Sequence, residues 1–353
     1  MGERFNREML ALARDARRMT QKALAESSGL AQGTISKIEN GQLDPTPEAI
    51  GAMARALRFP RTLFEYDTFA SAHSVAFYRK KASVGATDFR QLTATLTLLR
   101  EQLVRLVRSV ENLPSVNVPE MAPGPQRSAA DLAREIRVAW RVPRGPIEDL
   151  TALLESEGVL VVPTDFGADG IEGISIRDAR RGLPPVMFVN VNAPFDRVRF
   201  TMAHELGHMI MHHHQQLPPE GYEDEADEFA SEFLMPATDI RPHLSNITID
   251  RLAQLKAHWR VSMQSILVRA RSLERISAHQ SKRLWMQLSA LGYRTREPVT
   301  IAREEPSLVP DIVHFHLEEL GYTHAELAAA LNLIESEFRE RYLGQRPGLR
   351  LVP

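Results

Sequence analysis

The chain has 353 residues, 43% of them hydrophobic and 25% charged, with a formal net charge of −2 and no cysteine. The length exceeds one typical domain, and the near-neutral charge argues against bulk, sequence-independent nucleic-acid binding while leaving room for a small DNA-reading module. Without cysteine there are no disulfides, thiolate ligands or cysteine nucleophiles, so any metal must be held by His and Asp/Glu, as suits a reducing cytoplasm. No apolar run approaches the ~20 residues of a membrane helix, and MGERFNREML lacks a signal peptide's apolar core, so a cytoplasmic location and no membrane partner are expected.

In chain order, Leu10, Leu12, Ala13 and Ala16 form a helical apolar stripe with arginines at its end. Thr20 can cap a second helix over Gln21–Ser28, which Gly29 ends. A third helix starts near Ala31 or Gln32, turns Ile35 and Ile38 inward and stops at Asn40-Gly41. A fourth follows Pro45-Thr46-Pro47 and runs through Leu57. Helix, tight turn and helix inside such a unit is helix-turn-helix architecture.

The TQ opening of the second helix, the Gly29 turn, the run TISKIENG and the P-T-P helix start resemble the DNA-binding domain of the lambda-repressor-like (XRE) family over residues 1–66. The resemblance implies double-stranded operator DNA as partner, Gln21 on a backbone phosphate, and Gln32, Thr34 and Lys37 projecting towards the major groove, where Gln pairs with adenine and Lys with guanine. Gly33 stands where relatives often carry a longer polar side chain. Residues 1–66 hold ten Lys/Arg and eight Asp/Glu, a net of about +2, so a homodimer is expected to supplement a weak charge balance. A helical bundle used only for protein contacts is the alternative.

Residues 67–127 read as a connector. Arg79-Lys80-Lys81 follows an aromatic cluster that includes Phe69, Phe77 and Tyr78. Leu92, Leu96, Leu99, Leu103 and Leu106 then mark an amphipathic helix of five turns or more, suited to packing within the chain or to a dimer seam. The stretch SVNVPEMAPGPQRS reads as the linker ahead of the next domain.

Residues 128–245 are expected to form an α+β domain: two helices, the second from Ile147 with Pro146 at its start, and strands at Val159–Pro163, Gly173–Ile176 and Val186–Val191. The chain then enters RFTMAHELGHMIMHHH. On a helix, His204 and His208 lie one turn apart on one face and can reach one ion, and Glu205 beside them can take a proton from metal-bound water. The third ligand has several candidates. His214 has metzincin spacing, but Met211 replaces the glycine that would turn the chain there. His212 continues the line of His204 and His208, and three histidines in line on a straight helix, with ends about 12 Å apart, cannot surround one ion. In GYEDEADEFASEFLMP, Glu223 shares a face with Ala226 and Ala230, whose small side chains leave room for a metal, whereas Glu225 and Glu228 are expected to be solvated.

These two segments together resemble the ImmA/IrrE metallopeptidases, in which HExxH is followed by a helix ending in LMP. The resemblance covers about residues 130–245 and implies a zinc-type site, or another divalent ion, held by His204, His208 and Glu223, with Glu205 as base and Asp227 where many relatives have Asn. Tyr222 and the histidines at 212–214 are candidate oxyanion stabilisers. Residues 246–353 read as helices, with capped starts at Thr248 and Ser262, that support the peptidase or a dimer contact. The expected fold class is therefore multidomain and mainly α with a small sheet: a helix-turn-helix bundle, a zincin-like α+β domain and a helical C-terminal region. The expected function is a DNA-binding regulator with a zinc endopeptidase that cleaves an XRE-type repressor, a partner or itself. The alternatives are a sensor or scaffold with little proteolysis, and an antitoxin-like interaction protein.

Overall fold

The computed structural model describes residues 5–65, 85–166, 171–178, 182–213 and 220–344. Arg79-Lys80-Lys81, the aromatic residues around them and His214 lie outside the described residues. The head consists of α1 (Arg7–Ala16), α2 (Gln21–Ser28), α3 (Gln32–Glu39) and α4 (Pro47–Leu57). Asn6, Thr20 and Thr46 accept hydrogen bonds from the first free backbone N–H groups of α1, α2 and α4, and Pro47 opens α4 where its missing N–H costs nothing. Gly29 leaves α2 at a φ of 74°, a left-handed conformation that glycine adopts without a Cβ clash, and this sets the tight turn into α3. Leu10, Leu24, Ile35, Ile38, Met53 and Leu57 meet in the head's core.

The body contains α5 (Ala86–Val107), α6 (Ala129–Ala139) and α7 (Leu150–Ser156), then β1 (Leu160–Thr164), β2 (Gly173–Asp178) and β3 (Leu183–Asn190), then α8 (Phe195–Met211) and α9 (Tyr222–Leu234). A short α10 (Ala237–Ile240) leads to α11 (Ile249–Trp259), α12 (Met263–Ser272) and α13 (Ala278–Ala290). The chain closes with α14 (Leu308–Glu318), α15 (His324–Ala330) and α16 (Glu335–Phe338). The sheet order is β1-β3-β2, with β1 parallel and β2 antiparallel to β3, so β2 is an edge.

Both faces of this sheet are apolar, because alternate residues point opposite ways. Val161, Met187 and Val189 pack on one side with α6, α8 and α9 and share a core with α11–α13. Leu160, Val162, Val186 and Phe188 pack on the other side with α5 and the C-terminal helices. That second layer explains α5. Leu92, Leu96, Leu99, Leu103 and Leu106 face the sheet, while Ala94 and Leu98 on the opposite side enter the core of the head. The apolar repeat predicts one buried stripe, but both sides of α5 are covered, including Gln91, Thr95 and Gln102. The helix packs within the chain, so it is a shared core element of head and body.

Two further expectations are corrected. The proline-rich stretch ahead of α6 is packed: Val118 is buried, Asn117 N–H donates to Glu157 O, and Met121 N–H donates to Ile210 O next to the C-terminal end of α8. Its backbone groups find partners in the domain it was expected only to precede. The second helix starts at Leu150, where Asp149 accepts from Ala152 N–H, and Pro146 lies before it in the turn. Behind α8, the fully buried Arg199 pairs with Glu304, which also accepts from the N–H groups of Leu150 and Thr151. The C-terminal region thus braces the helix carrying HELGH.

Candidate metal centre

HELGH occupies the C-terminal half of α8, and the first turn of α9 crosses it. Gly207 lets the helices approach: a Cβ there would lie 3.3 Å from the Phe229 ring of α9. Glu223, Asp224 and Glu225 fill the first turn of α9, where negative charge is favoured by the helix dipole. The structure brings together His204, His208 and Glu223, with ligand atoms all within 4.8 Å of one another. His204 Nε2 and His208 Nε2 are 2.9 Å apart, and Glu223 Oε2 is 3.2 Å from the first and 3.9 Å from the second.

The outer ring nitrogens are also occupied. His204 Nδ1–H donates to Asp227 Oδ1 at 2.8 Å. His208 Nδ1–H donates to His212 Nδ1 at 2.9 Å, and His212 Nε2–H donates in turn to Glu225 Oε2 at 2.9 Å. One set of tautomers satisfies all three bonds and leaves both inner Nε2 atoms as lone-pair donors facing Glu223. A donor set of two imidazoles and one carboxylate, with the imidazoles oriented from behind, suits zinc or a similar divalent ion and leaves one coordination position open. The residues fit the group.

The surrounding carboxylates also favour a proton on the His204 ring, which a cation held there would replace. Burial opposes the charge of His204, but the carboxylates of Asp227 and Glu223 push it up to about 9. His204 and His208 hold Glu223 far below the ordinary carboxylate range, although half its side chain is exposed. Burial pulls His212, only 1% exposed, below the usual imidazole value. Burial and the neighbouring Glu223 push Tyr222 up to about 12, and its ring lies 5.4 Å from that of His208.

Glu205 is 7% exposed, and its Oε2 accepts from Ser175 Oγ at 2.6 Å. Ser175 lies on the edge strand β2, two residues from Gly173, where any side chain would collide with Thr201 of α8. The glycine therefore lets β2 run against α8, and the serine fixes the carboxylate. Sequence reasoning missed Ser175; the small-residue alternation Gly173, Ser175 in GISIRD is the signal that could have marked it. It also left Glu225 to solvent, whereas its carboxylate holds His212. His212 is one of the histidines weighed as a ligand, and it stands behind His208. Most of these groups line one cleft, to which Phe89 and Leu92 of α5 also contribute.

Residues 154–271 match a peptidase family model described as the IrrE N-terminal-like domain, and residues 10–64 match a helix-turn-helix model. The chain joins an XRE-type DNA-binding head to an ImmA/IrrE-like metallopeptidase domain. No curated protein matches it, and no described helix is long and apolar enough to cross a membrane. The IrrE-like match extends through α11 and most of α12, the helices that share the core of α8 and α9.

In the helix-turn-helix head, Gln32 and Lys37 are exposed on α3, and Thr34 is half-buried beside them. Gln21 Oε1 accepts from Gln32 Nε2 at 3.2 Å, and Gln21 Nε2 donates to Glu39 Oε2 at 2.7 Å. Arg14 pairs with the same Glu39 carboxylate at 2.7 Å, which offsets the negative charge next to Gln21. A Cβ at Gly33 would meet nothing within 4 Å, so the surface there is open.

The chain of contacts behind His208 predicts that His212→Ala and Asp227→Ala each weaken zinc binding about 10–100-fold in competition with a chromophoric chelator. Unchanged affinity in both would show that the outer bonds do not tune the site.

Proposed function

We propose that the chain is a DNA-binding regulator whose body is a zinc-dependent endopeptidase acting on an XRE-type repressor, either a partner or a second copy of itself. The observation that supports this most is the juxtaposition of Glu205, held by Ser175, with His204, His208 and Glu223. A site that only held metal would have no use for Glu205. Zinc, when bound, polarises a carbonyl and lowers the pKa of a coordinated water from 15.7 to about 7. An extended substrate pairs with the outer edge of β2 and so lies along the ligands. Glu205 accepts a proton at its carboxylate and later passes it to the leaving amine, while Ser175 keeps the carboxylate aimed. The head directs the enzyme to an operator through Gln32, Thr34 and Lys37, with Gln21 at the backbone.

The test uses purified chain loaded with one zinc, incubated with candidate XRE repressors and alone, with and without chelator. Metal-dependent fragments that Glu205→Gln does not produce are expected. If no fragments form, or if the variant forms them equally, the sensor reading replaces this one. One observation favours that rival: α5 lies in the cores of both head and body, as a scaffold that transmits a signal would require. DNA reading is tested by Gln32→Ala and Lys37→Ala on duplexes selected by the wild-type chain. Each substitution should cost ~1–3 kcal/mol and relax the preference at one base position. Unaltered affinity in both would place the recognition surface elsewhere.

A further inference from the structure

The charge of the chain is unevenly spread, and its near-neutral total conceals this. From Met263 to Glu297 there are seven Lys/Arg and two Asp/Glu, against a formal net charge of −2 overall. Two of these groups are neutralised inside the fold: Arg269 is buried against Glu232, and Glu297 pairs with Lys256. The other six cations, Arg271, Arg275, Lys282, Arg283, Arg294 and Arg296, are all exposed, and none has a carboxylate partner among the described residues. The backbone beneath them is firmly placed. Ile266, Leu267, Ala270, Leu284 and Leu288 bury the inner faces of α12 and α13. Gln264, in the first turn of α12, donates to Arg294 O at 3.2 Å, and the Arg294 guanidinium lies 5.1 Å from the centre of the Trp285 ring. Arg294 and Arg296 therefore stand at the N-terminal end of α12, and Arg271 and Arg275 at its C-terminal end. A helix of ten residues separates the two pairs by about 15 Å.

We infer that α12, α13 and the loop that follows them form a second DNA surface, which holds the phosphate backbone of a duplex whatever its sequence. Unpaired cations on a fixed, open surface fit a polyanion with closely spaced charges. Duplex DNA is the occupant because the helix-turn-helix head already brings the chain to it, which raises the local concentration of phosphates around the body. The head itself has a net charge of only about +2, so most of the phosphate attraction has to come from elsewhere in the chain. Five of the six cations lie beyond residue 271, where the match to the IrrE-like model ends. The head and this surface also stand on opposite sides of the sheet: α5 and the head lie beyond one face, while α8, α9 and α11–α13 lie beyond the other. The surface therefore takes a stretch of duplex separate from the one that the head reads.

The test uses the full-length chain and a labelled duplex of mixed sequence, with binding followed by fluorescence anisotropy across a series of salt concentrations. Lys282→Ala combined with Arg283→Ala should weaken binding about tenfold and make the slope of log affinity against log salt shallower by about two. Lys282→Arg combined with Arg283→Lys keeps both charges and should bind as the wild type does, which separates lost charge from a folding defect. Base preferences selected through the head should not move in either variant. Unchanged affinity and slope in the alanine variant, or a loss that the charge-keeping variant shares, would overturn the surface. Vesicles of phosphatidylglycerol and phosphatidylcholine in equal parts serve as the competing anion. If they capture the wild-type chain more tightly than the duplex does, and the alanine variant loses that capture, the surface is a membrane contact and the DNA assignment fails.

Discussion

Glu205→Gln is expected to lower kcat/KM on any cleaved peptide about 10²–10⁴-fold while zinc stays at one ion per chain. The loss corresponds to ~2.7–5.5 kcal/mol of transition-state stabilisation. The position of the carboxylate sets this expectation. Glu205 precedes Leu206 and Gly207 on α8, one position beyond His204, so it flanks the cluster formed by His204, His208 and Glu223 and is not part of it. Glutamine keeps the size of the side chain and an oxygen for the hydroxyl of Ser175. It cannot carry a proton. Glu223→Gln should behave differently, because it removes a charged ligand, so metal content and activity should fall together. Kinetics with a fluorogenic peptide, paired with metal analysis of each variant, decide the matter. A Glu205→Gln chain that retains zinc and full kcat/KM would remove the general base from the mechanism.

Glu337→Ala should uncouple the head from the body. Arg17, the residue that follows α1, donates to both Glu337 oxygens, at 3.2 and 2.7 Å, and also to the carbonyl oxygens of Leu57 and Arg58 at the end of α4. Its guanidinium lies 4.2 Å from the Phe59 ring centroid. Arg341 pairs with the same carboxylate at 2.8 Å. Glu337 is 1% exposed, and the side chains of its partners are 6% and 8% exposed. Removing the carboxylate leaves two buried cations facing each other, and breaking a buried pair of this kind costs about 3–5 kcal/mol. Because most of the head's core comes from its own helices, the effect should show as a split urea transition, with amide exchange in α1–α4 accelerating before that of α8 and α9. A single transition with an unmoved midpoint would mean that contacts other than this ion pair hold the head. Operator binding by the folded head should persist.

The sequence carried much of the local structure because local chemistry decides it. Thr20, Thr46, Thr248 and Ser262 each cap the helix expected to follow, and Gly29 and Pro47 stand where their backbone preferences require them. The spacing of His204 and His208 fixes a shared helix face whatever the rest of the fold does. Glu223 needed a second helix and was reached through its alanine-lined face together with the family resemblance. By contrast, Pro146 does not open the second helix, because the side chain of Asp149, three residues further on, caps it at Leu150.

What the chain determined alone, then, was the set of groups able to do chemistry: an N/O-ligand site with a neighbouring base, and a helix-turn-helix surface with polar side chains on its third helix. Tertiary structure decided how these groups are supported. His212 became the acceptor behind His208 because α9 sets Glu225 against its far nitrogen. Asp227 and Ser175 acquired partners only when α9 and β2 closed on α8. The stripe on α5 could not reveal that a second face would be needed, since a three-stranded sheet with two apolar sides demands cover that no periodicity within α5 records. Caps, turns and ligand spacing act over three or four residues and can be read from the chain; the orientation of a ligand and the wall of a cleft depend on contacts between residues far apart in sequence, which exist only once the layers have packed.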